Sequence, residues 1–214
     1  MTQPYLVVLD VDSTLIENEV IELLAAEAGS MERVAEITAR AMRGELDFEH
    51  SLRERVATLA GLPESVFDSV RRQVTVTQGV PALIAGVKAA GGHVGVVSGG
   101  FHEVLDPIAS GLGLNFWRAN RLEVEHGRLT GRVLGKVIDA SAKADALREW
   151  AGATETPITR TVAIGDGAND LMMMAAAGLS IAFDAKPIVR EKADVCLDIR
   201  NLGEVLKIIG LGTR

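Results

Sequence analysis

A short apolar run near the N-terminus, Tyr5 to Leu9, stops abruptly at Asp10 and leads into the polar segment Asp10 to Thr14. The run is too short for a helix and rich in strand-forming residues, so it predicts a β-strand that is buried on both faces. Such strands lie in the middle of parallel sheets that are covered by helices on both sides. The sequence therefore predicts an α/β fold whose central strand leads directly into a polar segment.

The rest of the chain changes pattern twice. Helical spacing follows the first strand, and from Gly79 onward strands and helices alternate in a βαβ rhythm. The helix expected after Gly100 contains Pro107, which could break it. Two apolar segments joined at His126-Gly127 predict a β-hairpin.

These patterns together predict a domain organisation. We expect a doubly wound parallel sheet, with a helical cap inserted after the first strand and with a β-hairpin. Residues 1–14 and 79–214 would form the sheet domain, and the inserted helices of residues 15–78 would form a lid or second domain.

Charge and composition exclude several classes of protein. The 214 residues include 22 Lys and Arg against 29 Asp and Glu, a net charge of −7 that disfavours binding to nucleic acid or to an anionic membrane. The single cysteine, Cys196, cannot form an internal disulfide, and we expect it to be buried and inert. Because the sequence has no export signal and no apolar run of membrane length, it predicts a cytoplasmic protein. We expect either a monomer or a homodimer.

Three predicted strands end in polar or glycine-rich clusters. These clusters are Asp10 to Thr14, Ser98 to Gly100 and Gly165 to Asp170. Ligands of open parallel sheets bind beyond the carboxyl ends of the strands, where such clusters meet. We therefore expect the three clusters to lie side by side in one crevice.

Each cluster has both a chemical and a structural interpretation. Asp10 and Asp12 are separated by one extended residue, so their carboxylates can take different roles, one of them nucleophilic, or can simply end the strand and cap a turn. Asp166 and Asp170 offer hard oxygen ligands for Mg²⁺, or they favour the start of the following helix. Ser98 and the glycines after it can hold a phosphate oxygen or form an ordinary turn.

Three charged residues on predicted helices are out of keeping with their positions. Lys143 lies in the first turn of a helix, where a cation opposes the helix dipole, although most helical lysines are simply solvated. Arg55 lies within an apolar stripe and has no acidic residue three or four positions away, and Glu19 shares a face with Leu23 and Ala26. Arg55 and Glu19 could present one cation and one anion to a small zwitterion, or both could snorkel to solvent.

Taken as a set, these motifs resemble the haloacid dehalogenase superfamily of phosphotransferases. The segments that start at Asp10, Ser98 and Gly165, together with Lys143, occur in that family's order. Within the superfamily the chain is similar to the phosphoserine phosphatases. Arg40 to Val56, with Glu19 upstream and Ala119-Asn-Arg-Leu downstream, resembles their cap and hairpin, so the resemblance covers nearly the whole chain.

The resemblance implies a reaction and a role for each site residue. The reaction would be Mg²⁺-dependent hydrolysis of O-phospho-L-serine through an aspartyl-phosphate, the last step of serine biosynthesis. Asp10 would attack phosphorus, while Asp12 would act as acid and then as base. Asp10, Asp166 and the backbone carbonyl of Asp12 would hold the metal, with Asp170 supporting them. The implied substrate-binding residues, in the phosphate site and in the cap, are Ser98, Gly99, Lys143, Asn169, Glu19, Met42, Phe48 and Arg55.

Two alternatives remain open on the sequence. One is a phosphotransferase of the same fold that passes the phosphoryl group to homoserine or another small alcohol, and the other is an inactive phosphate-binding module. The chain also departs from the family in two ways. Met172-Met-Met174 stands where relatives often have Pro-Met, and the first strand begins at Tyr5, so we expect no regulation by the N-terminal domain that many relatives carry.

Overall fold

Seven strands form one sheet in the computed structural model, which describes residues 4–212. The strands are β1 (Leu6–Leu9), β2 (His93–Phe101), β3 (Phe116–Glu125), β4 (Arg128–Leu134), β5 (Thr161–Gly165), β6 (Leu179–Phe183) and β7 (Val195–Leu197). Their order across the sheet is β4-β3-β2-β1-β5-β6-β7, and every neighbouring pair is parallel except β3 and β4. The predicted α/β fold with a doubly wound parallel sheet is confirmed.

The first strand is central, as its apolar run predicts. All four residues of β1 are buried, and the strand pairs with β2 on one side and with β5 on the other. Its side chains alternate between the two faces of the sheet. Val7 and Leu9 belong to one buried hydrophobic cluster and Leu6 and Val8 to another, so each face is covered by a separate core.

Within residues 4–212, ten α-helices connect and cover these strands. They are α1 (Val20–Ala28), α2 (Met31–Met42), α3 (Phe48–Ala57), α4 (Val66–Gln73), α5 (Val80–Ala89), α6 (His102–Leu112), α7 (Ala140–Ala153), α8 (Leu171–Ala176), α9 (Pro187–Arg190) and α10 (Val205–Ile208). Helices α7 and α8 pack on the Leu6 and Val8 face, whereas α5 and α6 pack on the opposite face. Among residues 4–212, no helix combines the length and the apolar character that a membrane crossing requires.

The first four helices follow β1 without an intervening strand. The two chain segments that flank them lie side by side, since Ile16 and Val76 form an isolated antiparallel bridge and the Thr77 amide donates to the Leu15 carbonyl over 3.0 Å. On the far side, the loop between α3 and α4 pairs with the β3–β4 hairpin through the Gly61 amide and the Leu129 carbonyl, 2.8 Å apart.

The hairpin between β3 and β4 is confirmed. His126 and Gly127 both have positive φ, 51° and 71°. A two-residue loop with positive φ at both positions matches the twist of antiparallel strands. The apolar pattern predicts a strand only over Leu122 to Glu125, so it missed the first part of β3, which pairs in parallel with β2.

Pro107 does not break helix α6, which runs continuously from His102 to Leu112. Proline has no N–H, so the carbonyl of Glu103, four residues earlier, loses its helical partner. Arg71 on α4 replaces that partner by donating from Nη1 to the Glu103 carbonyl oxygen over 2.8 Å. A contact from a distant helix therefore removes part of the cost of the proline.

The prediction that Cys196 is buried was wrong, because its side chain is exposed. Strand β7 lies at one edge of the sheet and has only three residues, of which Leu197 alone is buried. An edge strand with one face open to solvent leaves alternate side chains exposed.

Candidate active site

The carboxyl ends of β1, β2 and β5 open into one cavity of about 450 Å³. The predicted site residues that line it are Asp10, Asp12, Glu19, Phe48, Arg55, Gly99, Asp166 and Asn169. Because the three strands are parallel neighbours, their polar ends meet at one edge of the sheet. The expected convergence of the three clusters is therefore present.

A buried lysine lies between two aspartates behind the cavity wall. Lys143 Nζ donates to Asp10 Oδ1 over 2.6 Å and to Asp170 Oδ1 over 2.7 Å, and all three residues are buried. Burial and the negative charge of Asp170 raise the pKa of Asp10 well above its usual range, although Lys143 opposes the shift. The lysine therefore stabilises a pair of carboxylates that would otherwise repel each other.

Asp12 has different partners from Asp10. Its Oδ1 accepts from the Val20 amide at the start of α1 over 2.7 Å, and its Oδ2 accepts from Ser98 Oγ over 3.0 Å. Burial raises the pKa of Asp12 above its ordinary value, and the hydrogen bonds from Val20 and Ser98 oppose that rise. Two carboxylates in such different surroundings can perform different chemistry.

Three carboxylates form a cluster with the spacing of a cation site. Asp10, Asp166 and Asp170 each offer an oxygen, and these oxygens lie within 4.8 Å of one another. Burial and the charge of Asp170 raise the pKa of Asp166, as expected for acids that crowd together. Carboxylate oxygens are the ligands that Mg²⁺ prefers, so the donor set fits a hard divalent cation.

Within that cluster Asp170 is the most constrained. Its Oδ1 accepts from Lys143, and its Oδ2 accepts from the Gly167 amide over 3.1 Å. Both of its oxygens are thus engaged by protein donors, whereas Asp10 accepts from Lys143 through Oδ1 only, among residues 4–212. This arrangement suits a supporting role for Asp170 and direct ligation by Asp10 and Asp166.

The glycines after Ser98 allow close approach of neighbouring groups. A Cβ on Gly99 would lie 2.8 Å from Phe48 Cζ, and a Cβ on Gly100 would lie 2.9 Å from Asp12 Oδ2. Ser98 itself is buried, and its Oγ accepts from the Gly100 amide over 2.7 Å. Larger residues here would push Phe48 and Asp12 out of position.

The opposite wall of the cavity carries charged groups, among them the guanidinium of Arg55 and the carboxyl of Glu19. Arg55 Nε donates to the Ser51 carbonyl over 3.2 Å, and its guanidinium has no carboxylate within 4.0 Å among residues 4–212. Glu19 Oε1 accepts from Ser13 Oγ over 2.7 Å. Partial burial and the negative charge of Asp12 raise the pKa of Glu19 to about 7. Both charges are available to a bound molecule.

Met42 is the predicted site residue that the structure places away from the others. Its side chain is 76% exposed, at the end of α2, and it is not among the residues that line the cavity. Ser98, Lys143 and Asp170 are buried behind the cavity surface. Ser98 donates a hydrogen bond to Asp12, which lines the cavity. Lys143 donates to Asp170 and to Asp10, which also lines the cavity.

Several lining residues were missed by the sequence analysis, among them Glu22, Thr38 and Lys186. Glu22 lies one turn after Glu19 and shares its helix face, which is a signal that was present in the sequence. Lys186 follows β6, and its amide donates to the Asp166 carbonyl over 3.0 Å. Only the adjacency of β5 and β6 brings Lys186 to the site, and no local pattern encodes that adjacency.

Comparison with known proteins agrees with this geometry. A family model described as haloacid dehalogenase-like hydrolase matches residues 7–175. A phosphoserine phosphatase of Streptomyces coelicolor is 57% identical over 206 residues, which cover 96% of this chain and 50% of that protein. A phosphoserine phosphatase of Lactococcus lactis is 50% identical over 204 residues, covering 95% of this chain and 94% of that protein. The chain thus spans half of the first relative and nearly all of the second.

A solved structure described as a phospho-aspartyl intermediate analogue of phosphoserine phosphatase superposes with a TM-score of 0.90. It is 45% identical in sequence, and the match covers 97% of this chain and 99% of the other. With the family model and the two relatives, this likeness shows that the chain belongs to the haloacid dehalogenase-like hydrolases and, within them, to the phosphoserine phosphatases.

Proposed function

We propose that the protein hydrolyses O-phospho-L-serine to L-serine and phosphate in a Mg²⁺-dependent reaction, as the last step of serine biosynthesis. One observation carries the proposal: the Asp10 carboxylate shares a single cavity with the unpaired charges of Arg55 and Glu19. A phosphoryl group at Asp10 would leave the ammonium and carboxylate of a small amino acid facing opposite charges. The names of the relatives support the same substrate.

The first step forms an aspartyl-phosphate. A carboxylate oxygen of Asp10 attacks phosphorus, and the bond between phosphorus and the serine oxygen breaks. Asp12 gives its proton to the departing serine oxygen, and its raised pKa favours the protonated form needed for this transfer. The solved phospho-aspartyl analogue of a relative supports such an intermediate.

The second step releases phosphate. Asp12, now ionised, takes a proton from a water molecule, whose oxygen attacks phosphorus while the bond to Asp10 breaks. The hydrogen bonds that Asp12 accepts from Val20 and Ser98 favour its ionised form and hold its carboxylate in place. One residue thus serves both steps, in opposite protonation states.

The phosphoryl oxygens need positive charge and hydrogen-bond donors. We assign Ser98, Gly99 and Lys143 to this task and Asn169 to substrate contact, because Gly99 and Asn169 line the cavity and Lys143 bonds directly to Asp10. Asp10, Asp166 and the Asp12 carbonyl would hold the metal. A Mg²⁺ ion there supplies charge neutralisation, so that an anionic substrate can approach a carboxylate nucleophile.

The cap would select the amino acid. Arg55 would bind the carboxylate of the substrate and Glu19 its ammonium, while Phe48 closes the cavity above Gly99. Met42, which is exposed at the end of α2, would reach the substrate only in another position of the cap.

We also propose the domain division, with a core of residues 1–14 and 79–214 and a cap of residues 15–78. The isolated bridge between Ile16 and Val76 supports it, since both connections between the two parts then run together. Residues 1–3 and 213–214 of the core lie outside the described residues. The cytoplasmic location and the choice between monomer and homodimer stay predictions.

A substrate panel tests the function. With Mg²⁺ present, phosphate release should be much faster from O-phospho-L-serine than from phosphoethanolamine or simple phosphomonoesters, because only the amino acid engages both Arg55 and Glu19. Adding homoserine should leave the phosphate yield unchanged, whereas formation of phosphohomoserine would favour a phosphotransferase, an activity that the named relatives do not favour. Absence of turnover with every substrate would indicate an inactive binding module.

A further inference from the structure

A buried asparagine outside the predicted site joins two of the loops that build it. Asn120 is 1% exposed and lies on β3, next to the strand that carries Ser98 and Gly99. We propose that Asn120 is a positioning residue that fixes the phosphate-binding groups of the site. This proposal rests on the function proposed above.

The pairing of β2 with β3 is interrupted at the site. Val97 pairs with Arg118, but the next pair joins Phe101 to Asn120, so three residues of β2 lie opposite one residue of β3. These three residues, Ser98 to Gly100, bulge out of the ladder. A bulge leaves backbone groups without their strand partners and often lies beside an active site.

The side chain of Asn120 replaces one of those lost partners. Its Nδ2 donates to the Gly99 carbonyl over 2.8 Å, and its Oδ1 accepts from the Ile138 amide over 2.8 Å. A carbonyl on one side and an N–H on the other fix the orientation of the amide without ambiguity. Only a side chain with a donor and an acceptor at this spacing can bond to both the Gly99 carbonyl and the Ile138 amide.

The bond to Gly99 acts through one peptide plane on the catalytic groups. In a trans peptide the carbonyl and the following N–H point in opposite directions, so holding the Gly99 carbonyl aims the Gly100 amide the other way. That amide donates to Ser98 Oγ over 2.7 Å, and Ser98 Oγ donates to Asp12 Oδ2 over 3.0 Å. A continuous chain of hydrogen bonds therefore links Asn120 to the proposed acid and base.

The bond to Ile138 acts on the other side of the site. Ile138 precedes Asp139, whose side chain accepts from the Ala142 amide over 2.8 Å and caps helix α7. Lys143 lies in the first turn of that helix, and its own amide donates to the Asp139 carbonyl over 3.0 Å. Asn120 thus ties the Ser98 loop to the loop that starts the helix of Lys143.

The test uses Asn120→Asp, which keeps the shape but replaces the donor to Gly99 with an oxygen that repels its carbonyl. We expect kcat for O-phospho-L-serine to fall by about tenfold to a hundredfold, since small displacements of reacting groups cost rates of this size. Inhibition by inorganic phosphate should weaken, whereas inhibition by L-serine, which the cap binds, should be unchanged. A residue needed only for folding would not separate the two inhibitors.

The matched control is Asn115→Asp, just before β3. Asn115 Oδ1 accepts from the Val94 amide over 3.0 Å, which a carboxylate oxygen does equally well, so kcat and both inhibition constants should match wild type. If Asn120→Asp does not fold, Asn120→Ser, which leaves room for a bridging water, takes its place. Failure of both to fold would show that Asn120 serves the fold alone and would overturn the proposal.

A folded Asn120 variant with wild-type kcat and wild-type phosphate inhibition would also overturn it. Lack of activity in the wild-type protein would defeat only the function proposed above. In that case calorimetry with inorganic phosphate and Mg²⁺ replaces the kinetic comparison. Weaker phosphate binding in Asn120→Asp than in Asn115→Asp would then support the positioning role, and equal binding would exclude it.

Discussion

Lys143 Nζ lies 2.6 Å from Asp10 Oδ1, and neither side chain is more than 6% exposed. Burial alone would lower the pKa of Lys143, yet the charges of Asp10 and Asp170 raise it above its usual range. The ammonium therefore stays protonated inside the protein. It balances the carboxylates that surround the proposed nucleophile, so the fold and the reaction depend on the same contact.

Replacing Lys143 with methionine should damage both stability and activity. The substitution keeps the volume but leaves buried carboxylates unpaired, which costs about 3–5 kcal/mol for a broken buried pair. Urea unfolding at pH 7 without metal measures the loss, and phosphate release should be abolished. Lys136→Met, at an exposed lysine outside the site, is the control and should change neither. Unaltered stability in Lys143→Met would contradict the role given to this contact.

Asp10→Asn should abolish phosphate release from a folded protein. The amide has nearly the same shape as the carboxylate but is a poor nucleophile, and loss of a nucleophile lowers kcat by roughly a thousandfold or more. Steady-state assays on protein checked for deamidation by mass spectrometry measure the effect. Activity above roughly a few per cent of the wild-type value would show that another group attacks phosphorus.

Removing the metal should stop turnover, and magnesium should restore it. The acid cluster also predicts that Mg²⁺ stabilises the protein without substrate, by about 2.7 kcal/mol at a hundred times its dissociation constant. In Asp166→Asn this stabilisation should be largely lost, whereas Asp145→Asn, at an exposed acid on α7, should retain it. Thermal unfolding with EDTA and with Mg²⁺ compares the three proteins. Full activity of metal-free wild type would refute the site.

Much of the fold was predictable because its patterns are local. The buried run before Asp10 marks a strand covered on both faces, and parallel strands bring Asp10, Ser98 and Asp166 to one edge. Two features depend on distant partners that no local pattern contains. The ammonium of Lys143 is buried because Asp10, 133 positions away, accepts its hydrogen bond. In the same way, helix α6 continues through Pro107 because Arg71 donates to the carbonyl that the proline leaves without a helical partner.

The site was predictable only in outline. Charged residues on apolar faces, such as Arg55 and Glu19, are conspicuous in a sequence because their burial is costly without a partner. Asn120 belongs to a segment that carries the family resemblance, but an asparagine near a hairpin is ordinary and indicates no chemical role by itself. Its importance comes from the bulge in β2, and a change of strand register cannot be inferred from composition or spacing.

The raised pKa of Glu19 predicts that the stability of the metal-free protein depends on pH. The folded value is about 7 against 4.5 for an unperturbed glutamate, so folding favours the protonated form. The contribution of protonated Glu19 to the free energy of unfolding is complete below about pH 4.5 and disappears as the pH rises through about 7. Glu19→Gln should therefore be more stable than wild type at pH 8 and equal to it at pH 4.

Thermal unfolding across this range measures the difference. Glu32→Gln, an exposed residue on α2, removes the same charge and should show no such pH dependence. A constant difference between Glu19→Gln and wild type at both pH values would mean that the Glu19 carboxyl titrates normally in the fold.

Arg55 provides the test of substrate choice. Its guanidinium faces the cavity without a carboxylate partner among residues 4–212, so the carboxylate of phosphoserine would supply the missing charge. A charge-assisted hydrogen bond contributes ~1.5–3 kcal/mol, so Arg55→Ala should lower kcat/KM for phosphoserine by roughly tenfold to a hundredfold. Phosphoethanolamine lacks the carboxylate and should lose much less. Arg53→Ala, which breaks only an exposed pair with Glu49, should affect neither substrate. Equal losses of kcat/KM for both substrates in folded Arg55→Ala would show that Arg55 has a structural role, because the loss would then not depend on the substrate carboxylate.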